Sequence, residues 1–138
     1  MTDIFTKKKR SEIMSCVKGK NTKVELLAFR YLRSRKIYFQ RHYSRIVGKP
    51  DIAIPSQKKA IFIDGDFWHG RDFEKIKNKL TPYWRDKISK NILRDKRNRR
   101  IIKKQGWMVM RIWESALLKS KDKNFEKISF FLRKNVKK

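Results

Sequence analysis

Apolar residues recur along this chain with two different periods. In TKVELLAFRYLRSRK, Val24, Leu27, Ala28 and Tyr31 fall three or four apart, which predicts a helix opened by Thr22. A shorter helical pattern over residues 11–17 precedes it. Residues 39–42 read as a short strand, and Gly48-Lys49-Pro50 as a turn. Residues 51–54 form a second strand stopped by Pro55, and Gln57-Lys58-Lys59 fits the tip of a hairpin into a buried strand over 60–64. Residues 65–82 read as loop. A long helix is expected over about 83–105, with Trp84, Ile88, Ile92 and Leu93 on one face, ended by Gly106. Residues 107–113 complete the core as a strand, and a last helix covers about 124–134. Strand 60–64, helix 83–105 and strand 107–113 make a βαβ unit, whose crossover should be right-handed. With the preceding hairpin this gives a small mixed α/β sheet with helices on its faces.

The charge changes the picture more than the length does. The 138 residues fit one domain, here a basic N-terminal arm over 1–20 and a single domain over 21–138. Lys and Arg number 39 against 13 Asp and Glu, a formal net charge of +26. Self-repulsion at that charge favours a polyanionic partner, best a nucleic acid and next an anionic membrane surface. No apolar run approaches the roughly 18 residues of a membrane span, and the first residues contain no apolar signal core. A cytoplasmic, DNA-associated protein is expected. Cys16 is the only cysteine, so an internal disulfide and a multi-cysteine zinc site are both excluded. Hydrophobic residues at 39% suffice for a packed core.

Against this basic background, residues 48–70, GKPDIAIPSQKKAIFIDGDFWHG, carry Asp51, Asp64, Asp66 and His69. Acids from two neighbouring strands at one sheet edge suit a hard divalent cation such as Mg²⁺, which takes oxygen ligands and keeps several waters. Each residue also has a plainer reading. Asp51 follows Gly-Lys-Pro and fits a solvated turn; Asp64 and Asp66 flank a glycine, as turn residues do. His69 is a lone histidine, although a loop imidazole can take or pass a proton near neutral pH. Thr22-Lys-Val-Glu25 is a capping-box pattern, which would occupy Glu25. Phe67, Trp68 and Trp84 either pack under the loop or wedge between base pairs. Arg94, Lys96, Arg97, Arg99 and Arg100 are either solvated charge or a phosphate-tracking surface.

RSEIM at 10–14, NTKVE at 21–25, GKPD at 48–51, AIFIDGDFWHG at 60–70, YWRDKISKNILRD at 83–95 and GWMVMRIWE at 106–114 together resemble the Vsr very-short-patch-repair endonucleases. These are a branch of the restriction-endonuclease-like PD-(D/E)XK fold, a mixed central α/β sheet flanked by helices. The resemblance spans most of the chain. It implies a Mg²⁺-dependent enzyme, with Mn²⁺ as a substitute, that nicks one strand of duplex DNA 5′ to the thymine of a T·G mismatch. By position, Asp51 matches the essential metal-binding aspartate, and Ile63 the residue whose backbone carbonyl is a metal ligand. His69 matches the catalytic histidine and Glu25 an acidic active-site residue. Phe67, Trp68 and Trp84 match the aromatic wedge, with Arg94 and Arg97 of the basic helix among the groups expected on DNA.

Two departures stand out. The family's usual histidine at position 64 is Asp64 here, which could serve as a further catalytic group and metal ligand. The family's structural zinc positions hold Asp66, Arg71, Phe73 and Ser115, so no structural zinc is expected, and an Asp66–Arg71 ion pair over Phe73 would pin the loop instead. The rival readings are a restriction- or defence-type nickase of the same fold acting on matched DNA, and a non-catalytic nucleic-acid-binding protein. A monomer is expected, with mismatch-repair or methyltransferase proteins as candidate partners.

Overall fold

The run KAIFID at Lys59–Asp64 is buried at every position, as a strand covered on both faces must be. In the computed structural model, which describes residues 22–67 and 69–133, this strand is β3, an inner strand of a four-stranded sheet in the order β1-β2-β3-β4. The others are β1 (Gln40–Arg41), β2 (Ile52–Ile54) and β4 (Met108–Trp113). β1, β2 and β3 run antiparallel in sequence, and β3 pairs parallel with β4. The parallel pair is the predicted βαβ unit, joined through the 23-residue helix Pro82–Lys104.

Helix α1 (Lys23–Ser34) precedes the sheet; α2 (Phe73–Ile76) and α3 (Pro82–Lys104) lie between β3 and β4; α4 (Glu114–Lys119) and α5 (Lys121–Arg133) follow. Strand alternation sends Ile61 and Ile63 of β3 to one face, where they meet Val24, Ala28, Phe29 and Leu32 of α1, Leu117 of α4 and Phe125, Ile128 and Leu132 of α5. Ala60 and Phe62 point the other way, onto Ile102 of α3. Lys59 is fully buried, yet its ammonium donates to the Leu132 carbonyl in the last turn of α5 at 3.1 Å. Among the described residues no helix is long and apolar enough to cross a membrane.

Several elements differ from expectation. Residues 73–76 and 77–79 form short helical turns where loop is predicted, and α4 follows β4 without a break. The last helix begins at Lys121. Leu93 is exposed, while Asn98 and Ile102 complete the buried face of α3. Five residues beyond Ile88, Leu93 lies about 140° around the helix, outside the stripe. The predicted basic arm and its helical pattern lie outside the described residues, as does Trp68.

Candidate active site

The polar centre begins where the sequence places its aspartates. Pro50 is buried two residues before β2, so Asp51 is delivered beside β3 at a fixed height. Its Oδ2 accepts the Ile63 N–H at 2.7 Å, which sets the carboxylate rotamer and leaves Oδ1 turned towards His42. A cleft of about 450 Å³ opens here, lined by Asp51, Ile63, Asp64, His69, Arg94 and Asp95, with Asn98 and Arg99 behind. The structure thus brings Asp51, Ile63, Asp64, His69 and Arg94 to one place.

Glu25 reaches the same centre from α1. The cap uses one of its oxygens and leaves the other beside His42. Oε2 accepts from the Thr22 N–H at 3.2 Å and the Thr22 hydroxyl at 3.0 Å, while the Thr22 hydroxyl accepts the Glu25 N–H, closing a capping box. Oε1 is buried and accepts no hydrogen bond among the described residues. His42 Nε2 stands 3.4 Å from that oxygen, and His42 Nδ1 stands 3.8 Å from Asp51 Oδ1. Glu25, His42 and Asp51 offer three ligand atoms all within 4.8 Å of one another. A buried, unpartnered carboxylate oxygen is costly unless a cation or proton meets it, so this donor set fits a divalent ion. Burial pushes the Asp51 carboxyl well above the usual carboxylate range. The Ile63 N–H opposes that shift, and the Glu25 and Asp64 charges add to it.

Asp64 lies in the cleft but outside the three-ligand group. Its Oδ2 accepts from Arg111 Nε at 2.6 Å, and His69 Nε2 is 3.6 Å from Oδ1. Register explains the partner: Phe62 pairs with Arg111 and Asp64 with Trp113, so the four side chains share the α3 face of the sheet. The Arg111 guanidinium lies over the Trp113 ring, 3.9 Å from its centroid. Burial raises the Asp64 pKa, against the pull of His69 and Arg111.

His69 is held from α3. Its Nδ1 is 2.5 Å from Asp95 Oδ2. Gly70 makes the approach: its φ is +70°, and a side chain there would fall 2.4 Å from Ile92 Cδ1 of α3. Burial works to raise the Asp95 pKa, but the His69 hydrogen bond and charge, with Arg94, outweigh it and hold the carboxyl low.

The loop after β3 is latched as well. Asp66 Oδ2 accepts from Arg71 at 3.1 Å and from the Ser115 hydroxyl, and Oδ1 accepts the Ser115 N–H at 3.0 Å. Arg71 also donates to Ser115 Oγ at 2.8 Å. The predicted ion pair is present, with Ser115 as its third member, while Phe73 packs with Leu80, Trp84 and Ile88. Phe67 meets Trp84 edge-on at 5.7 Å. Trp84 is itself 7% exposed, so it stands as the base beneath Phe67. Arg94 and Arg97 are exposed on α3.

Sequence reasoning missed His42, Asp95 and Arg111. His42 is one of only two histidines and directly follows β1, which pairs antiparallel with β2, so that its N–H donates to the Asp51 carbonyl. Asp95 is an isolated acid in the basic run RDKRNRR, and Arg111 a charge inside WMVMRIW.

A mixed α/β sheet flanked by helices, with Asp51 beside its central strand, makes this a nuclease of the restriction-endonuclease-like class. The profile of the family described as DNA mismatch endonuclease Vsr matches residues 2–75. The chain is 40% identical over 119 residues to a type II nicking enzyme of Neisseria meningitidis serogroup A, covering 85% of each chain. It is 35% identical over 138 residues to one of Haemophilus parainfluenzae, covering 97% of this chain and 95% of the relative. It is 30% identical over 119 residues to the DNA mismatch endonuclease Vsr of Escherichia coli K12, covering 85% and 76%. The chain belongs to the Vsr family of DNA endonucleases.

Proposed function

We propose that this endonuclease nicks one strand of duplex DNA at a T·G mismatch, in very-short-patch repair, with a divalent ion held at Asp51. The observation that carries the reading is the meeting of Asp51, Ile63 and His69 in one cleft, beside the unpartnered Oε1 of Glu25. Asp51 and the Ile63 carbonyl would hold Mg²⁺ or Mn²⁺, with Glu25 as a further acidic group of the site. When bound, the ion polarises the scissile phosphate and steadies the leaving 3′ oxygen. His69 takes the proton of the attacking water, or relays it, from an imidazole that Asp95 orients through Nδ1. Asp64, neutralised by Arg111, receives the charge that develops on His69 rather than serving as a primary metal ligand.

Phe67, supported by Trp84, is the described part of the wedge that unstacks the site, which costs least where pairing is already weak. Arg94 and Arg97 on α3 hold phosphates, and the Asp66–Arg71–Ser115 latch pins the loop after β3. Names given to the relatives, both nicking enzyme and mismatch endonuclease, support single-strand cleavage. The test is strand-resolved cleavage of end-labelled duplexes. One nick 5′ to the thymine of a T·G pair, with the paired duplex intact, is the expected result. Equal nicking of the paired duplex would make the protein a matched-site nickase, and binding without cleavage a DNA-binding protein.

A further inference from the structure

We infer that His42 is a nitrogen ligand of the active-site metal, so that this nuclease selects Mn²⁺ over Mg²⁺. The inference rests on the metal-dependent reading of the Asp51 site and adds a residue and a selectivity to it.

Each carboxylate of the cluster divides its oxygens between two tasks. Glu25 commits Oε2 to the Thr22 cap, and Asp51 commits Oδ2 to the Ile63 N–H. The remaining oxygens, Glu25 Oε1 and Asp51 Oδ1, face opposite nitrogens of one imidazole at 3.4 and 3.8 Å. Ligands that share one octahedral ion stand about 3 Å apart when adjacent and about 4.4 Å apart when opposite. An ion takes only one of the two ring nitrogens, and with one ligand atom counted per residue the three atoms all lie within 4.8 Å of one another, near the wider of those limits. Glu25 is 4% exposed, so its unpartnered oxygen has little access to bulk water.

The imidazole is aimed, not merely nearby. His42 has φ +48°, a left-handed backbone that is uncommon for a residue with a side chain. Its N–H donates to the Asp51 carbonyl at 3.0 Å, which fixes that backbone against β2. Phe29 meets the ring edge-on at 5.8 Å from beneath. The result is an oxygen, oxygen, nitrogen donor set, with Glu25 buried and His42 and Asp51 half-buried.

Chemistry then decides the ion. Mg²⁺ prefers oxygen donors and gives up water reluctantly, whereas an imidazole nitrogen suits first-row transition ions. Among these, Mn²⁺ also keeps the carboxylate and carbonyl ligation that the rest of the site offers.

The experiment uses the full chain without DNA. Mn²⁺ and Mg²⁺ binding is measured by calorimetry for the wild type, His42→Gln and Asp51→Ala. Electron spin-echo spectroscopy of bound Mn²⁺ reads coupling to histidine nitrogen. The expected result is a nitrogen coupling in the wild type that disappears in His42→Gln, with Mn²⁺ affinity falling on the order of tenfold or more and Mg²⁺ affinity nearly unchanged. Wild-type Mn²⁺ bound through Asp51 without nitrogen coupling would overturn the inference and leave the metal site intact. Coupling that survives in His42→Gln would overturn it too. Unchanged binding of both ions in Asp51→Ala would instead overturn the site reading beneath it. The wild-type spectrum decides the matter even if His42→Gln folds poorly.

Discussion

Asp64 on β3 and Arg111 on β4 form an ion pair at 2.6 Å, two residues out of direct register, with the arginine stacked on Trp113. Asp64 is 6% exposed. An acid so placed next to Asp51 would otherwise repel it, and the pair removes much of that repulsion. Arg111→Ala should leave Asp64 buried without its cation and cost about 3 kcal/mol of stability, the low end for breaking a buried pair. Denaturant unfolding measures this. Arg111→Ala combined with Asp64→Asn should recover much of the loss, and a cost that stays the same in the double variant would show that Arg111 acts by packing alone.

Asp95 orients His69 through the Nδ1 contact. Asp95→Asn keeps the shape and removes the charge. If His69 moves the proton, kcat on a nicking substrate should fall by about 10²–10⁴ with little change in DNA affinity. A variant that cleaves normally would take His69 out of the proton path.

The stability of the metal-free protein should depend on pH in two opposite ways. Burial raises the carboxyls of Asp51 and Asp64. As pH falls from neutral towards the ordinary carboxylate value, the folded state takes up these protons before the unfolded chain does, so stability rises. Asp66 and Asp95 are held low, by the Ser115 bonds and by His69 against the effect of burial. Their contribution is present above the ordinary carboxylate value and is lost as pH falls through their lowered values. The Tm should therefore peak in mild acid, and Asp51→Asn should flatten the neutral side of that peak. A Tm that falls steadily from neutral pH downwards would contradict this.

The Asp66 latch ties the loop after β3 to the start of α4 through Arg71 and Ser115. Asp66→Ala removes all three contacts. Because the pair is partly exposed, the global cost should be about 1 kcal/mol or less. The local effect should be larger: faster amide exchange in the loop around His69 and slower cleavage, with metal affinity unchanged. Unaltered exchange and activity would mean that the latch does not position the loop.

The legible parts of this protein were those with a local physical signature. The continuous apolar run of KAIFID marks β3, the Thr22–Glu25 spacing marks the start of α1, and Gly106 marks the end of α3. The hidden parts depend on pairing across distance. His42 meets Asp51 only once β1 lies beside β2. Asp95 meets His69 only once α3 crosses the sheet, and the buried packing of Trp84 depends on the turns at 73–79. The short α4 has too few residues to display a helical period.

In the proposed function, Asp51 anchors the chemistry of a strand-nicking enzyme. The direct measurement is cleavage of a T·G-mismatched duplex, followed on each labelled strand, by the wild type and Asp51→Ala at matched DNA occupancy. One nick in one strand is expected from the wild type, and no nick from a variant that still binds the duplex. Cleavage at the wild-type rate by Asp51→Ala would contradict this.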